Sequence, residues 1–572
     1  MYQLIFTLIL AISLISCQPA QHDHNKQSSD TQAIESSKLA LRLESHMSFL
    51  ASDLLKGRQT ASHEYNIAAS YVATQLQSYG LKPAGENDGW YQQVPFVTSS
   101  LVKDSMKFSV VGPNEQFEFN YVDDYIISAN PHSTSSLVTA ELVFVGYGIE
   151  SDSLNHHDYS NLDVNNKIAV MLSGRPSSFP SEQGAHLSSG ATKAQTAVAN
   201  GAIGIIRLET PMSAKRFPFK RAKNYAYRDN FKWKSSDGKV SGSFEQLKGG
   251  ALLSMVSAKR LFNAGGHDLD AIYTQLDNNE VPNGFEMGVQ ATLESQSTHE
   301  TTYSPNVVAI LEGSDPVLKS EYVVYSAHLD HVGDDYHGDE KHGDDKLNNG
   351  ALDNASGVSI MLETARRFSL NQQPKRSILF VAVTGEEKGL LGSSYYAENA
   401  TVPVQQMVAN INLDMPLILY PFEDVVAFGS EHTTLANHVE KAAAKQGITL
   451  SPDPMPEQSI FVRSDHYSFV KKGIPSIFLM PGFKSKDPNI DGAKVFKEFL
   501  KEHYHKPSDD LNLGINYQAG AVFTVVNYDI GNEVANAKSK PRWHEGDYFG
   551  DLFAGNQDAN EEDTLKQRLK TK

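Results

Sequence analysis

The stretch YVVYSAHLD (residues 322–330), followed by GALDNASG (350–357) and SILFVAVTGEE (377–387), decides the fold. Its apolar runs are continuous rather than alternating, the pattern of strands buried on both faces of a parallel sheet. A helix is expected between them, from about Ala355 to Phe368. The alternation continues with a helix near Leu390 to Asn399, then MVANINLDM (407–415), VVAFGS (425–430), a helix near Thr433 to Gln446, and PSIFLMPG (475–482). This order predicts an α/β domain over 301–534, with a mostly parallel central sheet flanked by helices.

Polar residues fall where such a sheet gathers ligands. His328 and Asp330 close the first strand, and Asp353 lies just before a helix. Glu386 and Glu387 follow the second strand, Asp414 closes ANINL, and His505 sits in YHKPSDD (504–510). Sites in open α/β sheets form beyond the carboxyl ends of the strands, so these scattered groups are expected to converge. Two imidazoles with three carboxylates are a zinc ligand set, and one carboxylate can bridge two ions. Two Zn²⁺ against three carboxylates leave one positive charge, which a hydroxide neutralises. Consecutive glutamates on a turn point in different directions, so one can ligate metal while its neighbour stays free as a general base.

Outward from this core the texture changes. From 131 to 300, short β-like runs such as LVFVGYGI (142–149) and KIAVMLSG (167–174) alternate with turn residues. KAQTAVANGAIGIIRL (193–208) reads as a helix closed by Gly201, then a strand. Residues 36–130 carry the helical spacing of Leu39, Leu43, Met47 and Leu50, and a second helix over about His63 to Tyr79 that Gly80 stops. Residues 535–572 are polar and charged, with Trp543, Tyr548, Phe549 and Phe553 predicted to dock part of this tail.

The chain has 572 residues, a net charge of −18 and one cysteine, Cys17. With that charge a basic nucleic-acid footprint is not expected, and a lone cysteine excludes an intramolecular disulfide. The apolar run from Leu4 to Ile15 is too short to span a bilayer and fits a signal segment. It ends in Leu14-Ile15-Ser16-Cys17, which resembles the bacterial lipobox, although no Lys or Arg precedes the run. That resemblance implies a signal peptide over 1–17, a lipid on Cys17 as the sole membrane attachment, and a cell-envelope location. Gln18 after the cysteine implies the outer membrane. Residues 18–35 are polar and read as a flexible tether.

Taken together, HLDHVG (328–333), GALDNASG, TGEEKGLLGS (384–393), NLDM (412–415), RSDH (463–466) and YHKPSDD resemble, in order, the motifs of the co-catalytic di-zinc aminopeptidases. That family also includes glutamate carboxypeptidase, transferrin receptor and glutaminyl cyclase. The 131–300 segment resembles the protease-associated domain inserted in several secreted peptidases. The first resemblance implies that Asp353 bridges two zinc ions. His328 and Asp414 would complete one site, and Glu387 and His505 the other. Glu386 is implied as the general base, Asp330 as the carboxylate that orients the His328 imidazole, and Asp353-Asn354 as a cis peptide. It implies peptide substrates with free N-termini, hydrolysed by a zinc-bound hydroxide. A carboxypeptidase acting on acidic C-termini, glutaminyl cyclase chemistry and a non-catalytic receptor module stay open beside it, the last expecting missing ligands where none is missing. The run between His328 and Asp353 (GDDYHGDEKHGDDKLNNG, 333–350) is long and acidic, and its His337 and His342 read as solvated loop. Ser464, Asp465 and His466 are candidates for supporting the site or touching substrate.

Overall fold

A computed structural model describes residues 22–113, 115–334 and 345–555, with side chains from residue 33 onward except Arg216. The signal segment with Cys17 and Gln18, the histidines 337 and 342, and the tail beyond 555 lie outside the described residues.

The central strand is Tyr322–His328. It is flanked in parallel by Ser377–Val383 on one side and Met407–Asn412 on the other. Beyond Met407–Asn412 come Ser476–Pro481 in parallel, Asp424–Phe428 antiparallel to that, and Thr449–Ser451 in parallel. Beyond Ser377–Val383 lies the second half of the long strand Phe285–Leu311, antiparallel. The long strand also pairs antiparallel with Lys82–Pro83 and Tyr91–Leu101, and Tyr91–Leu101 with Asn230–Trp233, so the α/β reading describes a parallel centre with antiparallel pairings toward that edge and at Asp424–Phe428.

Both faces of the sheet are covered, which is why its strands are apolar throughout. Helices His22–Leu50, Ser356–Leu370 and Tyr517–Asn536 close one face, burying Leu43, Met47, Tyr325, Phe368 and Val526 in one core. On the other face Val324, Val381, Tyr396 and Phe469 form a smaller core.

A second sheet carries the inserted region. Its strands run in the order Gln116–Phe119, Lys107–Val111, the first half of Phe285–Leu311, Ser135–Phe144, Ile168–Leu172, Gly204–Leu208, Gly249–Leu253 and Tyr125–Ile126. The long strand thus belongs to both sheets. The second sheet takes in residues from Lys107 onward, before the expected boundary at 131. KFSVV and QFEF are short alternating strands whose place is fixed only by pairing, KFSVV with residues 290–294 and QFEF with KFSVV.

The N-terminus differs as well. The first helix begins at His22, so the part of the expected tether from 22 to 35 is helical. No Pro or Gly interrupts the sequence between His22 and Leu50, so polar residues there extend the helix that the apolar ones anchor.

Among the contacts that join the inserted region to the body are the hydrogen bond from Trp233 Nε1 to the Ser394 hydroxyl at 2.8 Å and a group around His432, Tyr467 and Ser459. Glu182 Oε2 lies 2.7 Å from His432 Nε2, whose Nδ1 lies 2.6 Å from Asp547 Oδ2 in the C-terminal segment. The Tyr467 hydroxyl meets His186 Nδ1 at 2.6 Å. Ser181 and Ser459 share a hydrogen bond of 2.8 Å. The tail docks as expected: Phe549, in the helix Tyr548–Phe553, is fully buried. Among the described residues, no helix is long and apolar enough to cross a membrane.

Candidate active site

The sheet brings the polar residues together at one edge. His328 is the last residue of the central strand. Asp414 stands two residues past Met407–Asn412, and Glu386 and Glu387 stand in the turn after Ser377–Val383. Those three strands are adjacent, so their ends converge without help from loops. Asp353 sits in the single turn Ala351–Ala355 that opens the helix Ser356–Leu370, and its bond to Asn354 is cis. Asn354 staples that turn to the strand ends, donating to Leu413 O at 2.9 Å and His328 O at 3.3 Å. His505 follows the helix Gly492–Glu502.

Asp353 divides its carboxylate between two groups of donors. Oδ1 lies 3.3 Å from His328 Nε2, which is also 3.0 Å from Asp414 Oδ1. Oδ2 lies 3.2 Å from His505 Nε2, which is also 3.1 Å from Glu387 Oε2. These separations between imidazole nitrogens and carboxylate oxygens match the edge of a tetrahedral zinc site, about 3.3 Å for bonds of about 2.0 Å. The donor set therefore has the ligand types and spacing to hold zinc.

The electrostatics follow from burial of this charge. Burial alone would lower the His328 imidazole, yet Asp414, Glu386 and Asp353 around it hold its pKa well above the usual value. His505 behaves the same way beside Glu387 and Asp353. Burial would raise Asp353, but His331, His328 and His505 hold it well below the carboxylate range. Glu386 is only partly compensated. Burial, Glu387 and Asp414 push it well above the usual value, against the pull of His328. Two adjacent glutamates thus have opposite tendencies, because Glu387 is depressed by His505 and His331.

Asp330 requires a correction. His328 Nδ1 meets the backbone carbonyl of Asp330 at 3.0 Å, so main chain rather than carboxylate orients the imidazole. The Asp330 carboxylate turns the other way. Oδ1 accepts from Glu386 N at 3.1 Å, and Oδ2 accepts from Glu387 N at 3.3 Å and from the Thr60 hydroxyl at 2.9 Å. It holds the glutamate turn.

The RSDH segment divides. Ser464 donates to Asp414 Oδ2 at 2.5 Å and accepts from Asn412 at 2.7 Å, so it fixes the free oxygen of that carboxylate. Asp465 is fully buried without a hydrogen-bond partner, and burial raises its pKa to about 7. His466 is buried against Phe461 and Phe478 with neither ring nitrogen bonded, which removes it as a substrate contact.

Three further residues support the site. His331 Nδ1 lies 2.9 Å from Glu387 Oε1 and 3.8 Å from Asp353 Oδ2. Gly350, at φ +59°, leaves room for it, since a Cβ there would come within 2.6 Å of the His331 ring. Asp509 accepts from the backbone N–H of Leu352 and of Asp353 at 2.9 and 3.0 Å. Arg58 is buried and donates to the carbonyls of Leu50, Leu329, Asn349 and Gly350. His331 and Asp509 lie inside motifs singled out in the sequence, His331 as the second histidine of HLDH, but residue type alone does not show which way a side chain points, and Arg58 lies outside them.

Residues 306–528 match peptidase family M28. A probable zinc metalloprotease of Pyrenophora tritici-repentis is 46% identical over 63 residues, which are 11% of this chain and 14% of that protein. A probable leucine aminopeptidase 2 of Aspergillus oryzae is 29% identical over 245 residues, 41% of this chain and 45% of that one. The chain thus spans less than half the length of these curated relatives. Among solved structures, an aminopeptidase from Aneurinibacillus sp. strain AM-1 is 20% identical with a TM-score of 0.49, covering 89% of this chain and 97% of that one. A peptidase M28 precursor from Shewanella amazonensis is 20% identical with a TM-score of 0.40, covering 90% and 99%.

Proposed function

We propose, from the match of residues 306–528 to peptidase family M28, that this chain is a zinc-dependent aminopeptidase with two ions per chain. The observation that carries the reading is the division of the Asp353 carboxylate between two donor groups, with His328 and Asp414 on one side and Glu387 and His505 on the other. Zinc bound there would activate a water molecule and polarise the scissile carbonyl.

The protein's own part is to position charge and move one proton. Glu386 takes a proton from the attacking water and delivers it to the leaving amine nitrogen. Its raised pKa suits a group that must accept a proton and give it back. Asp330 aims the Glu386 backbone, and Ser464 holds Asp414 with one oxygen turned to His328. The Cys17 reading makes the enzyme a lipid-anchored one of the bacterial envelope, with peptides bearing free N-termini as its substrates.

The test compares leucine p-nitroanilide with its N-acetylated form. The free amine compound is expected to be cleaved at least a hundredfold faster. Equal cleavage of the two would overturn the aminopeptidase assignment while leaving a metallopeptidase. Membrane association that survives Cys17→Ser would overturn the lipid anchor.

A further inference from the structure

The inserted region contains a cleft of about 580 Å³ that no part of the proposed chemistry uses. One wall is the sheet face carrying Arg207, in the strand Gly204–Leu208, and the other includes Lys232, in the strand Asn230–Trp233. Five basic residues line it, against one carboxylate, Glu294. Three of the five are committed: Lys193 donates to the carbonyls of Leu172 and Gly174, Lys248 to Glu245 O, and Lys107 pairs with Glu294 at 3.3 Å. Arg207 and Lys232 are not. Among the described residues neither side chain has a hydrogen-bond or ion-pair partner.

Such a pair of cations is unusual. A cation at the surface is solvated on all sides, and a cation in a protein wall is normally paired. Arg207 remains open to solvent, yet protein crowds its guanidinium enough to lower its pKa, and no carboxylate opposes the effect. Lys232 is lowered in the same way, again by burial alone. Lys193, whose pKa burial lowers to about 7, lies close enough to Arg207 for the two charges to repel. A concave wall of one sign concentrates the opposite charge from solution, and a guanidinium fork matches a carboxylate in two hydrogen bonds. Ile205, Phe217 and Leu252 line the same cleft and offer an apolar surface beside the charge, the composition of a small-ligand site.

We propose that this cleft binds a peptide by its C-terminal carboxylate, with Arg207 and Lys232 as the oxyanion partners and the apolar wall taking the last side chain. The oxyanion chemistry comes from the cleft, and the choice of a peptide rests on the peptidase reading. The site is separate from the metal centre, so it would hold substrate or product by the end that the enzyme does not attack.

Isothermal titration calorimetry on the full chain carrying Glu386→Gln measures binding without turnover. The probes are N-acetyl-Ala-Ala-Leu, its C-terminal amide, and inorganic phosphate. The free acid is expected to bind at least tenfold tighter than the amide, and Arg207→Met and Lys232→Met are each expected to remove that difference. In chains with Glu386 intact, both substitutions leave hydrolysis of leucine p-nitroanilide unchanged. Equal affinity for acid and amide overturns the proposal, and this comparison needs no change in the cleft. An acid preference that persists in both variants also overturns it, as does binding of phosphate without the peptide acid. Because binding is read without catalysis, loss of this proposal leaves the aminopeptidase reading standing, and failure of the anilide assay leaves the binding result standing.

Discussion

Asp330 Oδ1 accepts the backbone N–H of Glu386 at 3.1 Å, so a buried carboxylate aims the turn on which the proposed base stands. Asp330→Asn keeps one acceptor oxygen but places an amide where two backbone N–H groups converge. Losing a charge-assisted hydrogen bond of this kind costs about 1.5–3 kcal/mol, or about 10- to 100-fold in rate if felt in the transition state. The expected result is a fall of that size in kcat, with zinc content unchanged. Selective loss of the ion beside His328 would instead show that the Asp330 side chain supports the imidazole.

Arg58 supports the same edge from beneath. Its guanidinium is buried, and burial lowers its pKa to about 10 even though Asp353, Asp509, Asp330 and Glu387 favour the charge. Arg58→Met would leave four carbonyls from three segments without their donor. A loss of about 3–5 kcal/mol in unfolding free energy is expected from denaturant titration. An effect below 1 kcal/mol would mean that water replaces the guanidinium.

These two residues show what the sequence made legible. The strand ends could be read because continuous apolar runs stop abruptly at His328, Glu386 and Asp414, and strand adjacency does the rest. The direction of the Asp330 carboxylate could not be read, because a rotation about its side-chain bonds decides between His328 and the glutamate turn. His331 was hidden for the same reason. The early start of the second sheet was hidden because Lys107–Val111 gains its place only by pairing with Gln290–Glu294. The helix over 22–35 escaped notice because it lacks apolar periodicity and continues a helix anchored further on.

His432 joins the inserted region to the body, and the pH dependence of that joint has a definite sign. Burial opposes its charge, but Asp547 and Glu182 raise its pKa to about 10, above the unfolded value of about 6.5. A raised imidazole contributes fully below the unfolded pKa and loses its contribution as pH rises through the folded one. The joint is therefore expected to be strongest below about pH 6.5 and to weaken progressively toward pH 10. His432→Gln should remove this pH dependence and lower stability at pH 6 by about 3 kcal/mol. Thermal unfolding of both forms at pH 6, 8 and 10 reads it; a wild-type Tm flat over that range, after correction by the variant, would contradict the assignment.

The central claim is a two-ion centre bridged by Asp353, and zinc per chain measures it. Mass spectrometry of the dialysed protein is expected to give two zinc ions per chain, and Asp353→Ala is expected to bring that number close to zero because both donor groups lose a ligand. One zinc per chain in the unaltered protein, or two retained in the variant, would contradict it.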